Sequence, residues 1–242
     1  MPGGFTNKPK ILRGAFVEYG LSIPPLIVVF QFNPVQLSRR RNLSYSVPGW
    51  RQELQREVAE EYEGISSRIS LREFHKEYED LTELREDQQV SIRPESINFE
   101  IRLDATDKLN DGDPVTEQFG IAPQLSTLEL MVHPREEGLL GAVLGPLLGS
   151  TGGFSFTREE NPPMILFIWG RKRVLPVNIN SMNITETEFS TDLNPIRATV
   201  SVSLTVIEGP NLPYKYTRTL KGVMSVLNIA NITDVANVVI PG

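Results

Sequence analysis

The chain contains no cysteine, which excludes disulfides, thiolate metal sites and cysteine nucleophiles together, along with the stapled scaffold of small secreted domains. Histidine is nearly as scarce. His75 lies in a charged stretch and His133 beside Pro134, and neither sits in a recognisable nucleophile context. There is no Gly-x-Ser-x-Gly elbow, and Gly138, Gly141, Gly145 and Gly149 fit neither a dinucleotide nor a nucleotide phosphate loop. Positive charge is in short supply, with 24 Lys and Arg against 30 Asp and Glu, so a general affinity for nucleic acid or anionic membrane is disfavoured. No window approaches the roughly 20 apolar residues of a membrane-spanning helix. Met1-Pro2-Gly3-Gly4-Phe5 lacks the apolar core of a signal peptide. These absences lead to the expectation of a cytoplasmic protein without membrane insertion, catalytic residues, cofactor or metal.

Acidic residues are plentiful but not organised for chemistry. Counting a calcium loop from Asp107 puts Leu109 at the third position and Gln118 at the twelfth, where carboxylates belong, so Asp107 to Asp113 reads as a polar turn. In Glu60-Glu61, Glu136-Glu137 and Glu159-Glu160 the two side chains of each pair point apart, as a solvated face does.

What is present is β patterning. Apolar residues make up 40% of the 242-residue chain, enough for one principal domain with a sizeable core. Ile97, Phe99, Ile101 and Leu103 alternate with polar neighbours, as do Ala198, Val200, Val202, Leu204 and Val206, and that period of two belongs to strands with one apolar and one polar face. The second of these strands lacks edge-blunting residues, so pairing with a neighbouring subunit is expected there. Ile165 to Trp169 is a continuous apolar run, read as a strand covered on both faces and reversed by the basic turn Gly170 to Arg173. Ile11 to Tyr19, Leu26 to Phe32 and Arg41 to Val47 complete the strands.

Between Gln52 and Gln89 the composition turns to Glu, Arg, Gln, Asp and Lys, which predicts an inserted, solvated segment, partly helical or mobile. A helix is expected within Val115 to Val132, starting in earnest after Pro123. Gly138 to Phe154 is broken by glycines and Pro146, so it reads as a loop. A C-terminal helix over Thr217 to Ile229 carries Leu220, Val223, Met224 and Leu227 at helical spacing. With the basic clusters Arg39-Arg40-Arg41 and Arg171-Lys172-Arg173, these four apolar residues are the candidate subunit and partner interface.

Three segments together resemble a known family: Val29-Phe30-Gln31-Phe32-Asn33-Pro34-Val35-Gln36-Leu37, Pro162-Pro163-Met164-Ile165-Leu166-Phe167-Ile168-Trp169-Gly170, and Asn194-Pro195-Ile196-Arg197-Ala198 running on to Leu204. The chain is similar to the tube-like baseplate adaptor proteins, or tube initiators, of contractile injection systems, the phage-tail-like particles of bacteria. Relatives often add a C-terminal LysM module, and the stretch after Glu208 is too short for one, so peptidoglycan binding is not carried over.

The resemblance implies a mainly β, tail-tube-like fold of two antiparallel sheets, barrel or sandwich, with a flanking helix and a C-terminal helix. Residue patterning and the resemblance together divide the chain into a β domain over 1–212, with the charged insert 52–89, which the family does not match, and the loop 138–154, and a segment over 213–242 that the apolar stripe marks as a helical docking element. The implied function is a homo-hexameric structural ring, not an enzyme, that joins the inner tube protein to the spike protein, contacts baseplate and sheath proteins, and is released with the particle. An inner tube subunit or tube-end cap of the same fold, and a β-sandwich module for carbohydrate or peptide, are the alternatives.

Overall fold

The computed structural model describes residues 12–20, 25–62, 65–134 and 161–230. The predicted loop 138–154 lies outside them. Within the chain two units separate, one of residues 1–39 with 96–242 and one of Arg40–Glu95.

The larger unit is built on a curled, half-barrel antiparallel sheet of seven strands. In chain order these are β1 (Ala15–Glu18), β2 (Ile27–Val29), β3 (Leu37–Arg40), β6 (Ser96–Asp104), β7 (Ile165–Trp169), β8 (Arg173–Phe189) and β9 (Pro195–Val206). Their order across the sheet is β2-β1-β7-β8-β9-β6-β3. The period of two holds strictly in β6 and β9: Ile97, Phe99, Ile101 and Leu103 are buried, as are Ala198, Val200, Val202, Leu204 and Val206, while the residues between them are more exposed.

Four phenylalanines explain the curl. Phe16 on β1 and Phe99 on β6 have ring centroids 6.0 Å apart, although four inter-strand steps, about 19 Å in a flat sheet, separate those strands. Phe30 and Phe167 complete the cluster, with centroid separations of 5.2 to 6.5 Å among the four. Burial of these rings pulls the apolar face inward and supplies much of the core energy, since truncating one such ring costs about 3–5 kcal/mol.

The segment after β2 seals the curl with amide side chains. Gln31 Nε2 donates to the Asp104 carbonyl at 2.6 Å, and the Asp104 N–H donates back to Gln31 Oε1 at 2.9 Å, so one side chain stands in for a strand partner. Asn33 does the same for the chain before β1, accepting from Gly14 N at 2.9 Å and donating to Leu12 O at 2.8 Å.

The single helix expected across Val115 to Val132 is instead divided. A short α4 (Thr106–Asn110) precedes α5 (Pro114–Phe119), which Asp113 caps by accepting from Thr116 N at 3.0 Å. Gly120 then breaks the helix with φ +57°, and α6 follows over Ala122–Leu130, with Pro123 in its first turn. Leu125, Leu128 and Met131 join the core. The Ile121 N–H bonds the Pro195 carbonyl at 2.9 Å and Asn194 Nδ2 bonds the Gln118 carbonyl at 2.8 Å, tying this joint to the start of β9. The last helix, α7 (Leu212–Ala230), starts earlier than expected because Asn211 caps it, accepting from Tyr214 N at 2.9 Å.

In β7, Ile165 and Phe167 are buried but Leu166 and Ile168 only half-buried, so its two faces are not equally covered. β3 lay hidden in a polar stretch.

The smaller unit joins β4 (Leu43–Ser46) and β5 (Gln89–Ile92) into a two-stranded sheet around α1 (Gly49–Glu61), α2 (Leu71–Lys76) and α3 (Leu81–Asp87). It is wider than the charged stretch 52–89 and takes in the strand expected at Arg41 to Val47. Charge does not prevent a small nucleus: Phe74 is fully buried, edge-on to Tyr78 with centroids 5.0 Å apart. Ser70 and Glu73 form a capping box at α2. The Glu73 carboxyl is held below its ordinary range by the Ser70 backbone and hydroxyl hydrogen bonds.

Candidate assembly interface

β8 is longer than the strand beside it. β7 pairs with β8 only from Arg173 to Val177. From Asn178 to Phe189, a run of roughly 40 Å at strand rise, no strand lies against that side among the described residues. Pro176 sits inside the paired portion, so the open stretch holds neither proline nor lysine to blunt it; its charges are Glu186 and Glu188. A β-bulge between Ile179 and Ser181 bends its start, with Asn180 Nδ2 donating to Thr205 Oγ1 at 2.7 Å. The open edge is therefore on β8. The Ala198–Val206 strand, expected to offer one, is interior, paired with β8 on one side and β6 on the other.

Beside this edge the sheet presents its polar face. Asn98, Glu100, Arg102, Asn183, Thr199 and Ser201 line an open groove of about 1250 Å³ to which Phe32 through Gln36 contribute. The lining mixes hydroxyl and carboxamide groups with apolar residues such as Phe32, Pro34 and Val35 and with the charges of Glu100, Arg102, Asp104 and Arg197, and the Ser201 hydroxyl donates to Glu100 Oε1 at 3.5 Å.

One charged cluster at the groove's end has no local signature in the sequence. Arg197 bonds Asp104 Oδ2 through Nε at 2.8 Å, Glu188 Oε1 through Nη1 at 2.6 Å, and Thr106 Oγ1 through Nη2 at 3.3 Å. Partial burial pushes the Asp104 carboxyl up, but the Thr106 hydroxyl and N–H and the Arg197 guanidinium outweigh it and hold it below the usual carboxylate range. Hydrogen bonding to Asp104, reinforced by its charge and that of Glu188, raises Arg197 above its ordinary value. Both groups stay charged, so the cluster is an ion-pair clasp between β6 and β9.

Of the residues singled out from the sequence, two groups come together. The Arg171-Lys172-Arg173 turn joins β7 to β8, and α7 lies beside it. Tyr216 donates its hydroxyl to the Arg171 carbonyl at 3.0 Å, Lys172 Nζ lies 3.7 Å from Met224 Sδ, and buried Thr217 bonds both Val174 N and Val174 O, at 3.0 and 2.7 Å. These contacts fasten the first half of α7 on β8. Beyond Leu220, which is half-buried, every described side chain is exposed, Val223, Met224 and Leu227 among them.

Arg39, Arg40 and Arg41 are not brought to that place. Arg39 and Arg40 end β3, Arg40 Nε bonds Asn42 Oδ1 at 3.1 Å, and Arg41 pairs with buried Glu95 at 3.5 Å. The two histidines do local structural work: His133 Nδ1 donates to the Glu129 carbonyl at 2.7 Å, capping α6, and His75 lies 3.2 Å from Gln88 Nε2. Among the described residues no group of three or more His, Cys, Asp or Glu is placed to hold a metal ion, and no helix is long and apolar enough to cross a membrane. No protein-family model matches the chain, and no curated protein matches it either.

Proposed function

We propose that the chain is a non-enzymatic structural subunit of a contractile injection system, a tube-like adaptor ring that connects the inner tube to the spike and starts tube assembly. One observation carries this reading: among the described residues no strand pairs with the far side of the longest strand along Asn178–Phe189, directly beside the solvent-facing side of the curled sheet. An open edge of that length is a template for a strand from another molecule. Edge-to-edge contact between unlike edges, β8 of one copy against the β3 side of the next, is heterologous and becomes finite by closing a ring. In such a ring Thr199, Ser201 and Ser203 would line a wet channel and the phenylalanine cluster would stay in each subunit's wall.

The resembling segments support the same reading, because their polar residues are joints of the curl: Gln31, Asn33 and Asn194 bond the backbone of Asp104, Gly14 and Gln118. Native mass measurement of the full chain, alone and with tube and spike proteins, tests the proposal. A sixfold mass is expected; a chain that remains monomeric in every mixture overturns it. Growth into long tubes instead identifies an inner tube subunit or cap. The open groove, with its mixed polar and apolar lining, favours a second reading, a carbohydrate- or peptide-binding module, for which a monomer with saturable ligand binding is the signature.

A further inference from the structure

Among the described residues two helices, one on each unit, carry apolar stripes that are largely exposed. On α7, Tyr216, Leu220, Val223 and Leu227 recur at spacings of four, three and four residues and share one flank; Val223 is 47% and Leu227 52% exposed. On α1, Trp50, Leu54 and Val58 recur every fourth residue, at 54%, 46% and 41% exposure, and the helix buries no side chain. Each helix is tied to its own unit by hydrogen bonds: α7 through Thr217 and, at the start of the stripe, the Tyr216 hydroxyl, and α1 through Gln52 and Gln55, whose amides reach the Ile69 and Ser66 carbonyls at 3.0 and 2.9 Å.

The charges around the stripes are opposite. Helix α7 carries Lys215 and Lys221 on the flanks of its stripe, Arg218 on the opposite face and no acid, and Lys172 stands at the Met224 edge of the stripe. Helix α1 carries exposed Glu53, Glu57, Glu60 and Glu61 against two basic residues, Arg56 and Arg51, the latter over the Trp50 ring and paired with Glu77, so the rim of its stripe is acidic in net charge. Like stripes would therefore repel and unlike stripes attract.

We infer that α1 of one copy packs its Trp50-Leu54-Val58 stripe against the α7 stripe of a second copy of this chain, the acidic row of α1 facing the basic border of α7. The contact deepens the ring reading, which it rests on for closure, because every copy offers one donor and one acceptor helix and such a heterologous contact is finite only in a closed assembly. The apolar stripes drive association, and the charged rims fix which helix meets which and in which direction.

The absence of cysteine makes the test direct. Full-length Leu54→Cys carrying a mass tag is mixed with untagged Val223→Cys and treated with a short bismaleimide. The expected product is the Leu54–Val223 heterodimer, in about tenfold excess over either homodimer because the contact holds the two thiols at high effective concentration. Adding Glu53→Lys and Glu57→Lys to the first chain abolishes that excess, and Lys172→Glu with Lys221→Glu in the second restores it.

Homodimers alone overturn the inference, as does a link within one chain in the Leu54→Cys/Val223→Cys double variant. Protection of Val223→Cys by phosphatidylserine vesicles, without heterodimer, assigns the stripe to a membrane surface and overturns it too. A sixfold native mass with no heterodimer leaves the ring standing and removes this contact, whereas heterodimers in open-ended chains keep the contact and remove the ring.

Discussion

Asp104 at the end of β6 and Arg197 near the start of β9 are register partners across the sheet, and their side chains meet at 2.8 Å on its polar face. The pair is partly exposed, and the carboxylate also accepts from the Thr106 N–H at 2.8 Å, so its value lies in hydrogen bonds as much as in charge. Asp104→Asn is expected to cost about 1–2 kcal/mol near neutral pH, after discounting the exposed ion pair for screening. The folded-state pKa is lowered, so the contribution is present above the unfolded carboxylate pKa and disappears as pH falls through the lower folded value. Chemical denaturation of both proteins across acid pH should show the gap closing; a gap constant down to the lowest pH would sink the account.

Facing is tested by neighbours on β9. Val202 is buried in the core and Ser201 belongs to the groove. Val202→Asp is expected to cost several kcal/mol, on the order of an uncompensated buried charge, and to abolish cooperative melting, whereas Ser201→Asp leaves the fold intact. Equal melting temperatures would show the facing to be wrong.

Backbone conformation makes opposite demands at two sites. At Gly120 a Cβ would lie 2.2 Å from the Pro195 carbonyl oxygen, at φ +57°, so Gly120→Ala is expected to destabilise by several kcal/mol through clash and strain. Leu193, 80% exposed at the β8–β9 hairpin tip, has φ +62°. Leu193→Gly should therefore be neutral to stabilising by up to about 1 kcal/mol. Melting temperatures moving the other way at either site would contradict this.

Two truncations divide α7. Ending the chain after Leu220 keeps Tyr214 and the Thr217 hydrogen bonds to Val174, and the melting temperature is expected to hold. Ending it after Pro213 removes them and should lower stability by about 2 kcal/mol or more, as for a lost buried contact with two unpaired backbone groups. Identical behaviour of the two truncations would show that Thr217 anchors nothing.

The sequence disclosed what repeats locally. β6 and β9 were legible because a buried face and a wet face impose a period of two, and α7 because its apolar residues follow helical spacing. β3 was not, since Leu37-Ser38-Arg39-Arg40 holds one apolar residue and is a strand only through its neighbour β6. The charged stretch hid a nucleus because Phe74 and Tyr78 are few among many ions. At the candidate interface the basic turn and the apolar stripe were both visible, but not their adjacency, which depends on Thr217 and Tyr216 reaching β8 and the turn. The open edge falls on β8 and not on β9, a distinction periodicity does not carry, because it reports burial of faces and says nothing about which sides are paired.

The placement of β1 has a kinetic consequence. Phe16 on β1 aligns with Phe167 on β7, so the N-terminal strands are synthesised long before their second partner exists. Closing so long a loop is slow, and a chain dominated by such contacts folds slowly whatever its final stability. The β7-β8-β9 meander, whose pairings are sequential, is the natural nucleus, with β1 and β2 docking afterwards. On this order Phe16→Leu should speed unfolding and leave the refolding rate nearly unchanged, while Val200→Ala slows refolding; the reverse pattern in stopped-flow chevrons would place the nucleus elsewhere. Until β7 emerges, the nascent chain carries an apolar hairpin with no sheet to join, and its exposure to aggregation is set by the rate of translation.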